Sequence, residues 1–214
     1  VLPEFTCRSD KLELNRIPYL RGTPEVSKTA EEWAKLLPPV SELRSRFEAA
    51  GRACVFGMLA QSDGALYSRA VFFDPLTGAQ EKVCREAYYD KTHVHWTEAF
   101  LRPGNMIKAY ETRFGRLGML VCYDMAFAEP ARVLGLQGVD ILCVVSAIPS
   151  DFKWYYTHRR MIGASVFNQY FIAAANPAGS NTKAMGGHSA VYGPRGEVLA
   201  HLEGDRSGLL TAEI

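Results

Sequence analysis

A thiol, a carboxylate and an amine can together break a carbonyl-nitrogen bond. The thiol attacks, the carboxylate takes and returns its proton, and the ammonium faces the oxyanion that develops. Of the five cysteines, at positions 7, 54, 84, 122 and 143, Cys122 stands where such chemistry is built. It ends a compact apolar run over 116–122 and is followed by Tyr123-Asp124 and a helical pattern. A thiolate is favoured near a helix N-terminus, so a strand-to-helix elbow suits a reactive, low-pKa cysteine. The same placement also describes a small core residue, which is how Cys143 reads inside its apolar run. Cys7, Cys54 and Cys84 have no comparable setting.

The partners must come from elsewhere in the chain. Glu4 follows Val1-Leu2-Pro3, an apolar strand end where a carboxylate can be buried and its pKa raised into a useful range. Lys91 and Glu98 lie in a polar segment of the kind that often carries function. Each of the three, taken singly, equally describes a solvated surface charge. His93 and His95 are two residues apart with no third ligand near them, a weak metal signature, and they read as a loop pair. We expect no metal site and no cofactor.

Elements of both kinds are needed to hold these residues. Helical patterns cover 30–37 and 41–50, the second placing Ser41 in capping position and closing at Gly51. Strands over 53–60 and 65–73 flank the turn Gln61-Ser62-Asp63-Gly64 as an antiparallel hairpin. The segment 81–105 reads as irregular and ends at Arg102-Pro103-Gly104-Asn105. Beyond it the strand over 116–122 hands over to a helix over 129–136, with Pro130 tolerated in its first turn. Buried-type strands over 141–145 and 170–175 bracket a helix over 154–167. Short strands over 189–192, 197–202 and 209–213 finish the chain. The fold class is α/β, with hairpins feeding a mixed sheet and helices covering the buried strands.

Three segments in this order resemble the nitrilase superfamily of carbon-nitrogen hydrolases. Leu2-Pro3-Glu4 is similar to that family's base-bearing strand end. Tyr89-Asp90-Lys91-Thr92-His93, with Glu98 and Arg102-Pro103-Gly104 after it, is similar to its lysine segment. Gly115 through Asp124, with Phe127-Ala128-Glu129 following, resembles its nucleophile elbow, and Met185-Gly186-Gly187-His188-Ser189 resembles a further, structural segment. The resemblance implies a four-layer α-β-β-α sandwich over a single domain, 1–214, lacking the family's first strand and helix and its C-terminal tail. The chain departs from the pattern at Asp90, where arginine is frequent, and at Phe167, where glutamate is frequent.

The same resemblance implies a catalytic set of Glu4, Lys91 and Cys122, with Glu98 orienting Lys91 or Glu4, and an oxyanion held by Lys91 and the backbone N–H of Tyr123. Trp96, Tyr123, Phe127, Ser146 and Ala147 would then shape the substrate pocket. Tyr123-Asp124 resembles the amidase and carbamoylase branches, and Cys122 to Glu129 the same octet in omega-amidases. The implied activity is hydrolysis of a linear amide of a small molecule, with N-carbamoyl hydrolase, omega-amidase and nitrilase as alternatives. A non-catalytic binding or assembly module of the same fold is the alternative of another class.

Bulk properties narrow the partners. The 214 residues are 48% hydrophobic and 22% charged with a formal net charge of +1, which supplies no long-range field for nucleic acid or an anionic membrane. The longest apolar stretches fall far short of a bilayer span. An odd, widely spaced set of cysteines without a CxxC pair fits neither a disulfide framework nor a zinc site and suits a reducing, cytoplasmic compartment. The expected partners are a small-molecule amide and further copies of the chain, as a homodimer or higher homo-oligomer.

Overall fold

The computed structural model describes residues 1–4, 7–8, 38–78, 82–150, 154–179, 185–204 and 206–214. Its first sheet holds β1 (Cys7–Arg8), β2 (Cys54–Ser62), β3 (Ala65–Phe73) and β4 (Glu86–Asp90) in that spatial order. β1 runs parallel to β2, and the other pairs are antiparallel. The β2–β3 hairpin turns on Asp63-Gly64, both at positive φ (50° and 72°), as a two-residue loop matching the strand twist requires.

The second sheet has the order β10-β9-β8-β7-β6-β5. In chain order these are β5 (Tyr110–Thr112), β6 (Gly115–Val121), β7 (Ile141–Val145), β8 (Phe171–Ala175), β9 (Ala190–Tyr192) and β10 (Val198–His201). The central three are parallel, so their carboxyl ends open on one edge. They are continuous apolar runs because both faces are covered.

Three helices complete the layers: α1 (Val40–Ala50), α2 (Ala128–Leu136) and α3 (Trp154–Asn168). Alternation along β2 and β3 divides the first sheet between two cores. Val55, Ala70 and Phe72 join Met119, Val121, Leu142 and Val144 of the second sheet, together with Leu134 of α2 and Met161 of α3. Phe56, Met58, Val71 and Phe73 face the other way, against Val40, Leu43 and Phe47 of α1. Complete burial of a side chain such as Phe56 or Phe72 contributes about 2 kcal/mol. The layers therefore run helix, sheet, sheet, helix, the α-β-β-α sandwich expected from the sequence.

Four details differ from the sequence reading. The segment before Lys91 contains a strand, β4, whose alternate burial of Ala87 and Tyr89 is clean but only five residues long. Pro39, not Ser41, occupies the cap of α1, which starts at Val40, while Gly51 closes it at φ 60°. Residues 209–213 form no strand: Leu209 is 90% exposed, and a strand needs a ladder partner. A single tight 3₁₀ turn, Cys122–Ala126, separates β6 from α2. The expected helix over 30–37 lies outside the described residues.

Candidate active site

Each expected chemical residue sits on a braced segment. Leu2 and Pro3 run beside β2, with Leu2 N–H donating to Val55 (2.7 Å) and Gly57 N–H to Pro3 (3.1 Å). The next N–H, that of Glu4, donates to the Ser146 carbonyl at the end of β7 (3.1 Å), so Glu4 is clasped between the sheets and only 3% exposed. Lys91 follows β4. Its N–H donates to Ser68 on β3 (2.9 Å) and its carbonyl accepts from Gly104 (2.8 Å). That approach requires glycine, because a Cβ at position 104 would lie 2.2 Å from the Asp90 carbonyl oxygen. Cys122, the first residue after β6, has φ +46°, a left-handed backbone that an L-residue rarely adopts.

The side chains converge. Lys91 Nζ donates to Glu98 Oε2 (2.7 Å) and Glu4 Oε1 (3.1 Å), and its side chain is 1% exposed. Ser68 Oγ also donates to Glu4 Oε1 (2.6 Å). Glu4 Oε2 is buried and has no hydrogen-bond partner among the described residues. Burial of Lys91 works against its charge, but Glu4, the Cys122 sulfur and Glu98 outweigh burial and hold its pKa above the ordinary value. Burial raises the Glu4 pKa, with Lys91 opposing and Glu98 reinforcing the rise.

Cys122 is near enough to Glu4 and Lys91 to feel both charges. Burial and then Glu4 push its thiol pKa up, while Lys91 and the N–H of Ala147, which donates to the sulfur, pull it back only in part. The resting group is therefore a thiol, contrary to the expectation of a low-pKa thiolate. Its distinction lies in the neighbouring carboxylate: Cys143, a core residue as expected, is pushed up to about 11 by burial with no carboxylate beside it.

A second carboxylate, Asp124, is 0% exposed within the turn after Cys122. Its Oδ2 accepts from Tyr89 OH (2.8 Å) and Val121 N–H (3.0 Å). Its Oδ1 accepts from Thr92 Oγ1 (3.0 Å) and His93 N–H (2.8 Å) and lies 3.0 Å from His93 Nδ1. Rings crowd above the turn. His93 stacks on Phe127 (centroids 4.3 Å apart), and Tyr123 meets both His95 and Phe127 edge-on (4.8 and 5.4 Å).

A chain-length comparison decides the family. The carbon-nitrogen hydrolase model matches residues 13–214. The chain belongs to that family. Among the relatives of this chain, a probable nitrilase of Schizosaccharomyces pombe is 32% identical over 128 residues, which are 58% of this chain and 46% of the relative. An omega-amidase of Homo sapiens is 28% identical over 199 residues, 86% of this chain and 70% of the relative. A solved variant of the amidase from Nesterenkonia sp. AN1 shows covalent addition of the acetamide moiety of fluoroacetamide at its active site cysteine. It superposes with a TM-score of 0.71 at 26% identity, covering 81% of this chain and 65% of the amidase. The chain thus spans under half of the first relative and about two thirds of the amidase.

The chain brings together Glu4, Lys91, Glu98 and Cys122, drawn from three separated stretches of sequence. Tyr123 follows Cys122 as the second residue of its turn, so its N–H has no acceptor inside that turn. Phe127 is 37% and Trp96 78% exposed, placing them at the rim. Ser146, expected in the pocket wall, lines a cavity with Ile148, Pro149, Trp154 and His158. It is 3% exposed, and its carbonyl also holds Glu4. Ala147, also expected in the wall, offers its N–H to the sulfur. His93 and His95 are more than a loop pair: one binds Asp124 and the other caps the turn Trp96–Glu98. Among the described residues no group of three or more His, Cys, Asp or Glu could hold a metal ion. The sequence reading assigned no role to Ser68 or Asp124. Ser68 carries no sequence signal, whereas Asp124 was visible as the acid two residues after the nucleophile.

Proposed function

We propose that this carbon-nitrogen hydrolase cleaves the amide bond of a small linear amide through a thioester on Cys122, releasing ammonia or an amine. The observation that carries the reading is the buried Oε2 of Glu4, unpartnered among the described residues, on a carboxylate that binds Lys91 Nζ and lies close enough to Cys122 to raise its pKa. Glu4 Oε2 accepts the thiol proton as sulfur attacks the carbonyl carbon. The electron pair of the carbonyl moves to oxygen, where Lys91 and the Tyr123 N–H stabilise it. Collapse expels the amine, which takes the proton back from Glu4. Water then attacks the thioester, giving one proton to Glu4, and the carboxylic acid departs as the thiol is restored. Glu98 keeps Lys91 charged and oriented throughout.

Intact mass spectrometry during turnover tests this. The wild type is expected to show an acyl adduct confined to Cys122, and Cys122→Ala no adduct and no ammonia release. Turnover by Cys122→Ala at the wild-type rate sinks the assignment. The aromatic rim of Tyr123, Phe127 and Trp96 favours substrates with a modest apolar end. Ammonia release across amides, N-carbamoyl compounds, dicarboxylate monoamides and nitriles separates the amidase reading from carbamoylase, omega-amidase and nitrilase. Failure on every class, with Cys122 unacylated, supports a non-catalytic module instead.

The reading includes a cytoplasmic homodimer or higher homo-oligomer without nucleic-acid or membrane partners. Cys54, Cys84, Cys122 and Cys143 are free thiols, as a reducing compartment keeps them. Leu136 and Phe167, 71% and 80% exposed at the ends of α2 and α3, favour association through the outer helices. No helix among the described residues is long and apolar enough to cross a membrane.

A further inference from the structure

Asp124 touches neither Lys91 nor Cys122, yet it grips the residues on both sides of each. Toward the lysine it accepts from Tyr89 on one side and from Thr92 and His93 on the other. Toward the nucleophile it accepts from Val121 N–H, immediately before Cys122, and is itself two residues after it. β4 belongs to one sheet and β6 to the other, so this carboxylate is a clamp across the sandwich.

We infer that Asp124 is a positioning residue for the reaction: it sets the separation of the Lys91 ammonium from the Cys122 sulfur by holding the chain on either side of both. The inference rests on the reading of Cys122 as nucleophile. A carboxylate suits the task because its two acceptor oxygens meet donors on every side. An asparagine of the same shape would turn an N–H₂ group toward one set of those donors. Lys91 stabilises negative charge on sulfur only at short range, so a small displacement weakens both thiolate formation and oxyanion binding.

The test is Asp124→Asn beside Tyr89→Phe and the double variant, each normalised to folded protein by circular dichroism. Cys122 labelling by iodoacetamide is followed by intact mass across pH, and kcat and KM are measured on an amide. For Asp124→Asn we expect kcat to fall about 100-fold with KM nearly unchanged. Labelling is expected to slow about tenfold, with its pH profile moved to higher pH, because the thiol loses the help of Lys91. Tyr89→Phe is expected to lose about fivefold, and the double variant to be no slower than Asp124→Asn, since both act through one carboxylate.

A merely structural Asp124 would lower the melting temperature while leaving labelling per folded molecule and its pH profile unchanged, and that result overturns the proposal. If Asp124→Asn does not fold, Tyr89→Phe and Thr92→Val decide. Slowed labelling in both supports the inference, and wild-type labelling in both overturns it. Labelling requires no turnover, so it reads the clamp even if no amide is hydrolysed, and the two readings fail separately.

Discussion

Glu4 and Asp124 are both buried carboxylates, 3% and 0% exposed, and the fold treats them in opposite ways. Around Asp124 both oxygens are engaged, by a phenol, a hydroxyl, two backbone N–H groups and a histidine ring. Around Glu4 one oxygen takes both the Ser68 hydroxyl and the Lys91 ammonium, and the other has no partner among the described residues. A buried acceptor left open costs roughly 1–3 kcal/mol, and the layers packed on either side must over-determine it. The difference separates two uses of the same functional group: saturated, a carboxylate fixes geometry; half-saturated, it is available to receive a proton.

The largest test of this contrast is Glu4→Gln, which keeps shape and burial and removes the basic oxygen. We expect kcat/KM to fall on the order of 1000-fold, within the usual range for loss of a general base and beyond the loss expected at Asp124. Retention of a tenth of the wild-type value would remove Glu4 from the mechanism.

A pH profile comes next. Glu4 must be ionised to act and its pKa lies above the ordinary 4.5, chiefly through burial. The group therefore stays protonated to a higher pH, and kcat/KM must rise with pH along an acid limb centred above 4.5. A limb at or below that value contradicts the raised pKa.

The smallest effect on catalysis is expected at Asp74, which is as buried as Asp124 and likewise bonded at both oxygens but spans no part of the site. It accepts from Thr77 Oγ1 (2.9 Å) and Leu76 N–H (3.1 Å) and pairs with Arg113. Asp74→Asn should cost about 2 kcal/mol in chemical denaturation and leave kcat per folded molecule unchanged. A loss of kcat there would mean that saturation as such, and not the bridging by Asp124, governs the rate.

Much of this was legible in the chain. The Asp63-Gly64 hairpin, the apolar parallel strands and the elbow at Cys122 follow from local chemistry, and the four layers follow from the family resemblance. The lysine segment was legible only as a motif, since β4 is too short for its alternation to stand out. The pairing of Ser68 with Glu4 was not legible at all, because hydroxyl and carboxylate lie 64 residues apart and meet only in the folded chain. The direction of the Cys122 pKa was also misread. An elbow suggests help from a helix terminus, but a 3₁₀ turn of five residues carries little macrodipole, and burial prevails.

The left-handed backbone at Cys122 has one more consequence. An L-residue held at φ +46° costs the folded state about 1–2 kcal/mol, whereas glycine would sit there almost without penalty. Every molecule carries that cost, with or without a substrate. Durability alone would choose glycine at this bend, so under the proposed mechanism the sulfur is held there at a standing cost to the lifetime of the fold.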